Sequence, residues 1–100
     1  MQLQDSYEIE ITPLMIKLGH KRSAYGCPIN MGIRKAVGSL SYKIVTGLRM
    51  VFISDDHQIM GIYILPLEAQ DFIKSFDSDK PVQPISFTIT RKVSAPSCTI

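Results

Sequence analysis

Apolar residues recur along this chain with two different periods. Tyr7, Ile9 and Ile11 alternate with Glu8 and Glu10, the period-2 pattern of a strand with one face in a core and an acidic face in water. Thr12-Pro13 then supplies an N-cap and a first-turn proline, and Gly19 a stop. This predicts a short helix over residues 13–18 and a loop over 19–26. A second helix is expected to open at Pro28 with Cys27 as its N-cap and to close at Gly38. In it Ile29, Ile33, Ala36 and Val37 share an arc of about 100°, with Asn30 and Arg34 outside. Three strands follow over 42–46, 48–53 and 58–64, with a polar turn at 54–57. Gly47 marks either a hairpin turn or a bulge within one longer strand. Leu65-Pro66 starts a third helix that carries Ala69, Phe72, Ile73 and Phe76 on one face. Past a loop over 77–84, Ile85, Phe87 and Ile89 alternate with Ser86, Thr88 and Thr90 in a last strand.

This order predicts an α+β fold: a mainly antiparallel sheet of about five strands, with two main helices and one short helix packed on one face. Residues 1–91 read as a single domain and 92–100 as a loose tail. Two of the strands are apolar on both sides. Leu48, Met50 and Phe52 oppose Val51 and Ile53, while Met60, Ile62 and Ile64 oppose Ile59 and Tyr63. Helices that cover one face leave the other with apolar residues to hide, so Val51, Ile53, Ile59 and Tyr63 are the expected contact set on the face opposite the helices.

The composition, 45% hydrophobic and 20% charged, is that of a globular protein and not of a disordered one. No secretory signal is visible, and the longest apolar run, residues 59–65, is far shorter than the roughly 20 residues of a membrane span. A cytoplasmic protein with no membrane partner is expected. Cys27 and Cys98 are read as free thiols, since two cysteines give a poor basis for a disulfide framework. The net charge of +2 conceals a gradient: residues 1–50 carry seven Lys/Arg against three Asp/Glu, residues 51–100 four against six.

Four features carry candidate chemistry. Lys17, His20, Lys21 and Arg22 precede the second helix, with Arg34 and Lys35 farther along it, a basic loop and helix that would suit an anion or a nucleic acid. Only Tyr25 interleaves with these cations, and no RNA-binding signature lies on the strands. Cys27 sits where a helix N-terminus favours a thiolate, but a nucleophile also needs a base, and His20 and His57 are the only histidines. Glu8 and Glu10 project from one strand face, as a solvated edge does. Asp77-Ser78-Asp79 opens like a calcium loop but lacks the central glycine and closing glutamate. No zinc spacing, phosphate loop or nucleophile elbow is present, so neither a catalytic residue, a metal nor a cofactor is assigned.

Cys27-Pro28-Ile29 after Gly19 and Ser23, then Leu65-Pro66, Ala69, Phe72-Ile73, Phe76-Asp77, Pro81-Val82, Pro84 and Phe87, form a pattern over about residues 8–91. In this pattern the chain resembles a group of small uncharacterised bacteriophage and prophage proteins. Two features depart from it: Ser78-Asp79-Lys80 stands where a glycine precedes the basic residue, and the turn over 55–58 is enlarged. The resemblance implies a phage or mobile-element origin and assigns no catalytic or binding residue. Together these readings give a non-enzymatic binding protein that engages or inhibits a host macromolecule, a defence complex included, or pairs with itself as a homodimer. Two alternatives stand beside it: a nucleic-acid accessory protein using the basic loop, and a thiol-dependent enzyme centred on Cys27.

Overall fold

The alternation of residues 7–11 folds into strand β1 (Ser6–Ile11), with Tyr7, Ile9 and Ile11 buried and Glu8 and Glu10 exposed. In the computed structural model, which describes residues 3–38 and 42–92, seven further elements follow. They are α1 (Pro13–Leu18), α2 (Pro28–Val37), β2 (Lys43–Thr46), β3 (Met50–Ser54), β4 (Ile59–Ile64), α3 (Leu67–Asp77) and β5 (Ile85–Arg91). The fold is α+β, and the strands form one antiparallel sheet in the order β1-β5-β4-β3-β2.

Local chemistry sets the boundaries. Thr12 Oγ1 accepts the Met15 amide at 3.2 Å at the start of α1, and Cys27 Sγ accepts the Asn30 amide at 3.4 Å at the start of α2. Gly38 closes α2 with φ 74, the left-handed conformation in which glycine carries no Cβ penalty. The Gly47 amide donates to the Met50 carbonyl at 2.9 Å, so residues 47–49 are a hairpin turn. The irregularity in the ladder lies instead between Ile53 and Ser54.

Helix α2 lies against both β1 and β2, which sit at opposite ends of the strand order, so the sheet curls around the helix. Against β1 the approach is close enough that a Cβ on Gly32 would fall 2.6 Å from Ile11 Cδ1 and 3.2 Å from the Glu10 carbonyl oxygen. Inside the curl Ile29 and Ile33 of α2 share one buried cluster with Ile9, Phe87, Ile89 and Val51 of the sheet. Ala69, Phe72 and Phe76 of α3 complete this core, with the two phenylalanine rings stacked 6.1 Å apart.

The expected assignment of sheet faces is corrected. Val51, Ile53 and Tyr63 do not face away from the helices but lie in the core, each fully buried, and only Ile59 of that set is exposed, at 58%. The register explains the inversion. Tyr63 stands opposite Val51, and Gly61 opposite Ile53. A Cβ on Gly61 would come within 3.0 Å of the Tyr63 ring and 3.1 Å of Leu3 Cδ1, so the face with the missing side chain takes in the large aromatic ring. The Tyr63 hydroxyl donates to the Gln4 carbonyl, and the Tyr7 ring lies 5.6 Å away. Burial first, and then the neighbouring Tyr7, push the Tyr63 hydroxyl up to about 12. The expected tail lies, from residue 93 onward and with Cys98, outside the described residues.

Truncating Phe72 to alanine removes a ring that is 6% exposed and stacked on its neighbour, so Phe72→Ala is expected to cost about 3–5 kcal/mol. Urea denaturation followed by circular dichroism measures this. A midpoint close to that of the parent would show that the α3 face is not part of the core.

Candidate functional site

Asn30 is a polar side chain with no exposed surface, held three residues past the N-cap of α2. Its Nδ2 donates to the carbonyls of Ala24 at 3.0 Å and Ile44 at 2.9 Å and to Thr46 Oγ1 at 3.0 Å, and its Oδ1 accepts Arg34 Nε at 2.7 Å. Three acceptors share two amide hydrogens, so every polar atom of the side chain is engaged. The Thr46 amide also donates to the Ala24 carbonyl at 2.9 Å, and together these bonds tie the 19–26 loop to α2 and to the outer edge of β2. The sequence pattern placed Asn30 outside the apolar arc, because nothing local shows that β2 will bring its carbonyls there.

The basic loop is partly spent on structure. Arg22 has φ 53, and its amide and guanidinium donate to the Asp77 carboxylate and carbonyl, each at 2.7 Å. Lys21 pairs with Asp79, whose carboxyl that ammonium holds below the usual carboxylate range. Arg34 is engaged by Asn30 and by the Tyr25 carbonyl. Lys17, His20 and Lys35 are exposed on α1, the loop and α2, and no carboxylate pairs with them among the described residues. Three of the six expected contact residues are thus bonded to the protein itself.

Between this loop, the 47–49 turn and the end of α3 lies a cleft of about 490 Å³. Cys27, Ala24, Leu48 and Ile73 give it apolar lining, and Arg22, Lys74 and Asp77 give it charge. The Cys27 thiol is buried, and burial pushes it above the ordinary thiol range despite the amides that bond its sulfur, with Asp77 adding to the rise. Its geometry is that of an N-cap.

The outer face of the sheet carries the side chains that alternate with the core. Val45 stands opposite Phe52 and Phe52 opposite Ile62, and in the next row Met50 stands opposite Ile64. Ile64 is 47% exposed and the others are half-buried. Exposed cations border this strip: Lys43 on β2, Arg49 in the turn, and Lys92, whose amide donates to the Ile62 carbonyl at 2.7 Å. Glu8 and Glu10 lie two strands away on β1, and Asp55 and Asp56 stand in the turn between β3 and β4, beyond the paired Lys43 and Ser54. The sequence pattern assigned the strip to the opposite face. Gly61, in alternation with Tyr63, was the signal for the parity.

Among the described residues no group of three or more His, Cys, Asp or Glu is gathered to hold a metal, and no helix is long and apolar enough to cross a membrane. Comparison with protein-family models, curated proteins and solved structures finds no match to the chain.

Two measurements check this description. Asn30→Ala removes the Asn30 donor from the Ile44 carbonyl inside the fold and leaves the Ala24 carbonyl with the Thr46 amide alone, so it is expected to destabilise by about 1–3 kcal/mol in urea denaturation. An unchanged midpoint would mean that water serves those groups equally well. With Cys98 replaced by serine, iodoacetamide is expected to modify native Cys27 slowly at neutral pH and to speed up only above the ordinary thiol range. Fast modification at pH 7 would return the thiol to the list of reactive groups.

Proposed function

We propose that this chain is a non-enzymatic binding protein that docks an acidic protein partner on the outer face of β2, β3 and β4. The observation that carries this reading is the apolar strip of Val45, Phe52, Ile62, Met50 and Ile64 bordered by Lys43, Arg49 and Lys92. Apolar surface at the centre and charge at the rim is the usual anatomy of a protein interface, and Lys43, Arg49 and Lys92 on this rim suit acidic groups of a partner. A second copy is a poorer occupant. A two-fold contact through the strip sets the same patch on both sides, so each copy meets a rim with the same excess of cations. The resemblance to phage and prophage proteins supports reading the partner as a host macromolecule met in the host cytoplasm, a defence complex among the candidates.

The nucleic-acid reading is weaker on this geometry, because Lys21, Arg22 and Arg34 are already bonded within the chain. The thiol-enzyme reading is weaker as well, since the one described cysteine is buried and its sulfur caps a helix.

The test compares capture of host proteins by the full chain with capture by Phe52→Asp and by the double variant Lys43→Glu, Lys92→Glu. Both variants are expected to lose the partner while melting within a few degrees of the parent, and Glu8→Ala is expected to keep it. Equal capture by all of them would overturn the reading. Nuclease-sensitive capture would transfer it to nucleic acid, and a dimer in light scattering that Phe52→Asp dissolves would identify the occupant as a second copy.

A further inference from the structure

The cleft above Cys27 uses none of the outer-face side chains, and its chemistry is different. Its volume of about 490 Å³ falls in the range of small-molecule sites, roughly 300–1,000 Å³. The apolar part is built from three separate elements: Cys27 from the start of α2, Leu48 from the hairpin turn and Ile73 from α3. Leu48 is 41% exposed. The charged part holds two cations and one carboxylate. Asp77 Oδ1 accepts the Arg22 amide and the Asp77 carbonyl accepts one guanidinium nitrogen, so the carboxylate keeps its charge and the two cations outweigh it by one. That arrangement fixes Arg22 at the cleft while leaving its remaining donors without an acceptor among the described residues. Lys74 is exposed and no carboxylate pairs with it among the described residues.

We infer that this cleft binds a small amphipathic carboxylate, its apolar part over Cys27 between Leu48 and Ile73 and its carboxylate at Arg22 and Lys74. A planar guanidinium and an ammonium beside an apolar floor match a group with one charged end, and the fixed Arg22 lowers the ordering cost of binding. A cationic ligand meets two like charges, Arg22 and Lys74, against the single carboxylate of Asp77, and a neutral one leaves both cations without use. The same chemistry is presented by a free aliphatic acid and by the C-terminal carboxylate of a peptide ending in an apolar residue.

Amide chemical shifts of the isotope-labelled full chain test this with octanoate, octanol, octylammonium, and N-acetyl-Leu-Ile as free acid and as C-terminal amide. Octanoate or the free-acid peptide is expected to shift the amides of Ala24, Cys27, Gly47 and Ile73, and Lys74→Gln to weaken that binding roughly tenfold. Lys74 is exposed on α3, so a dispersed spectrum shows that the variant is folded. Binding of octanoate alone identifies a free acid as the source, and binding of the peptide acid alone identifies a chain terminus. Each supports the site. Equal binding of octanol, octylammonium or the peptide amide would overturn it, as would the failure of both acids at millimolar concentration. Neither result bears on the outer face, whose variants lie outside the cleft.

Discussion

Helix α2 touches both outer strands of a five-stranded sheet, and the two contacts are chemically opposite. Toward β1 it presents Gly32, where even one carbon more would collide with Ile11 and crowd the Glu10 carbonyl. Toward β2 it presents Asn30, which bonds the Ile44 carbonyl and the Thr46 hydroxyl. One contact works by leaving space and the other by supplying donors. Because both ends of the strand order are held to a single helix, the sheet must curl, and the curl separates an enclosed apolar face from an outer one. Antiparallel sheets expose two such edges, and here the helix occupies the surroundings of both.

The end of the molecule where α2 begins gathers parts distant in sequence. Arg22 reaches Asp77 across 55 residues, and Ala24 accepts from Asn30 and from the Thr46 amide. A carboxylate at the last residue of a helix stands in the unfavourable field of that helix's own carbonyls, and Asp77 is held there by the Arg22 bonds. The left-handed backbone of Arg22 belongs to the same clamp. These bonds shape the cleft, and they consume charges that a linear reading leaves free.

Two surfaces result, and they differ in kind. The outer face of β2, β3 and β4 is broad and apolar with a charged rim, the anatomy of a surface for another protein. The cleft is small and mixed, with one clamped and one free cation, suited to a compact ligand. The thiol at its floor is shaped by burial more than by the helix end, since desolvation outweighs the amides that bond the sulfur.

The local elements were legible in the sequence because each is set by nearby residues. Alternation defined β1 and β5, Thr12-Pro13 and Cys27-Pro28 defined the two helix starts, and the spacing of Ala69, Phe72 and Phe76 defined the buried face of α3. Which side of β3 and β4 faces inward was not legible from alternation alone, because both sides are apolar and a strand's two faces are equivalent until a neighbour breaks the tie. The tie is broken by register, with Tyr63 opposite Val51 beside the side-chain-free Gly61. Nor did spacing reveal Asn30 as a buried hub or Arg22 as a clamp, since Ile44 lies 14 residues from Asn30 and Asp77 lies 55 from Arg22. By itself the sequence determined the elements and their order, through contacts within a few residues. The tertiary structure alone decided which apolar face is the core, which cations remain free and where the cleft forms, because each depends on groups that only folding brings together.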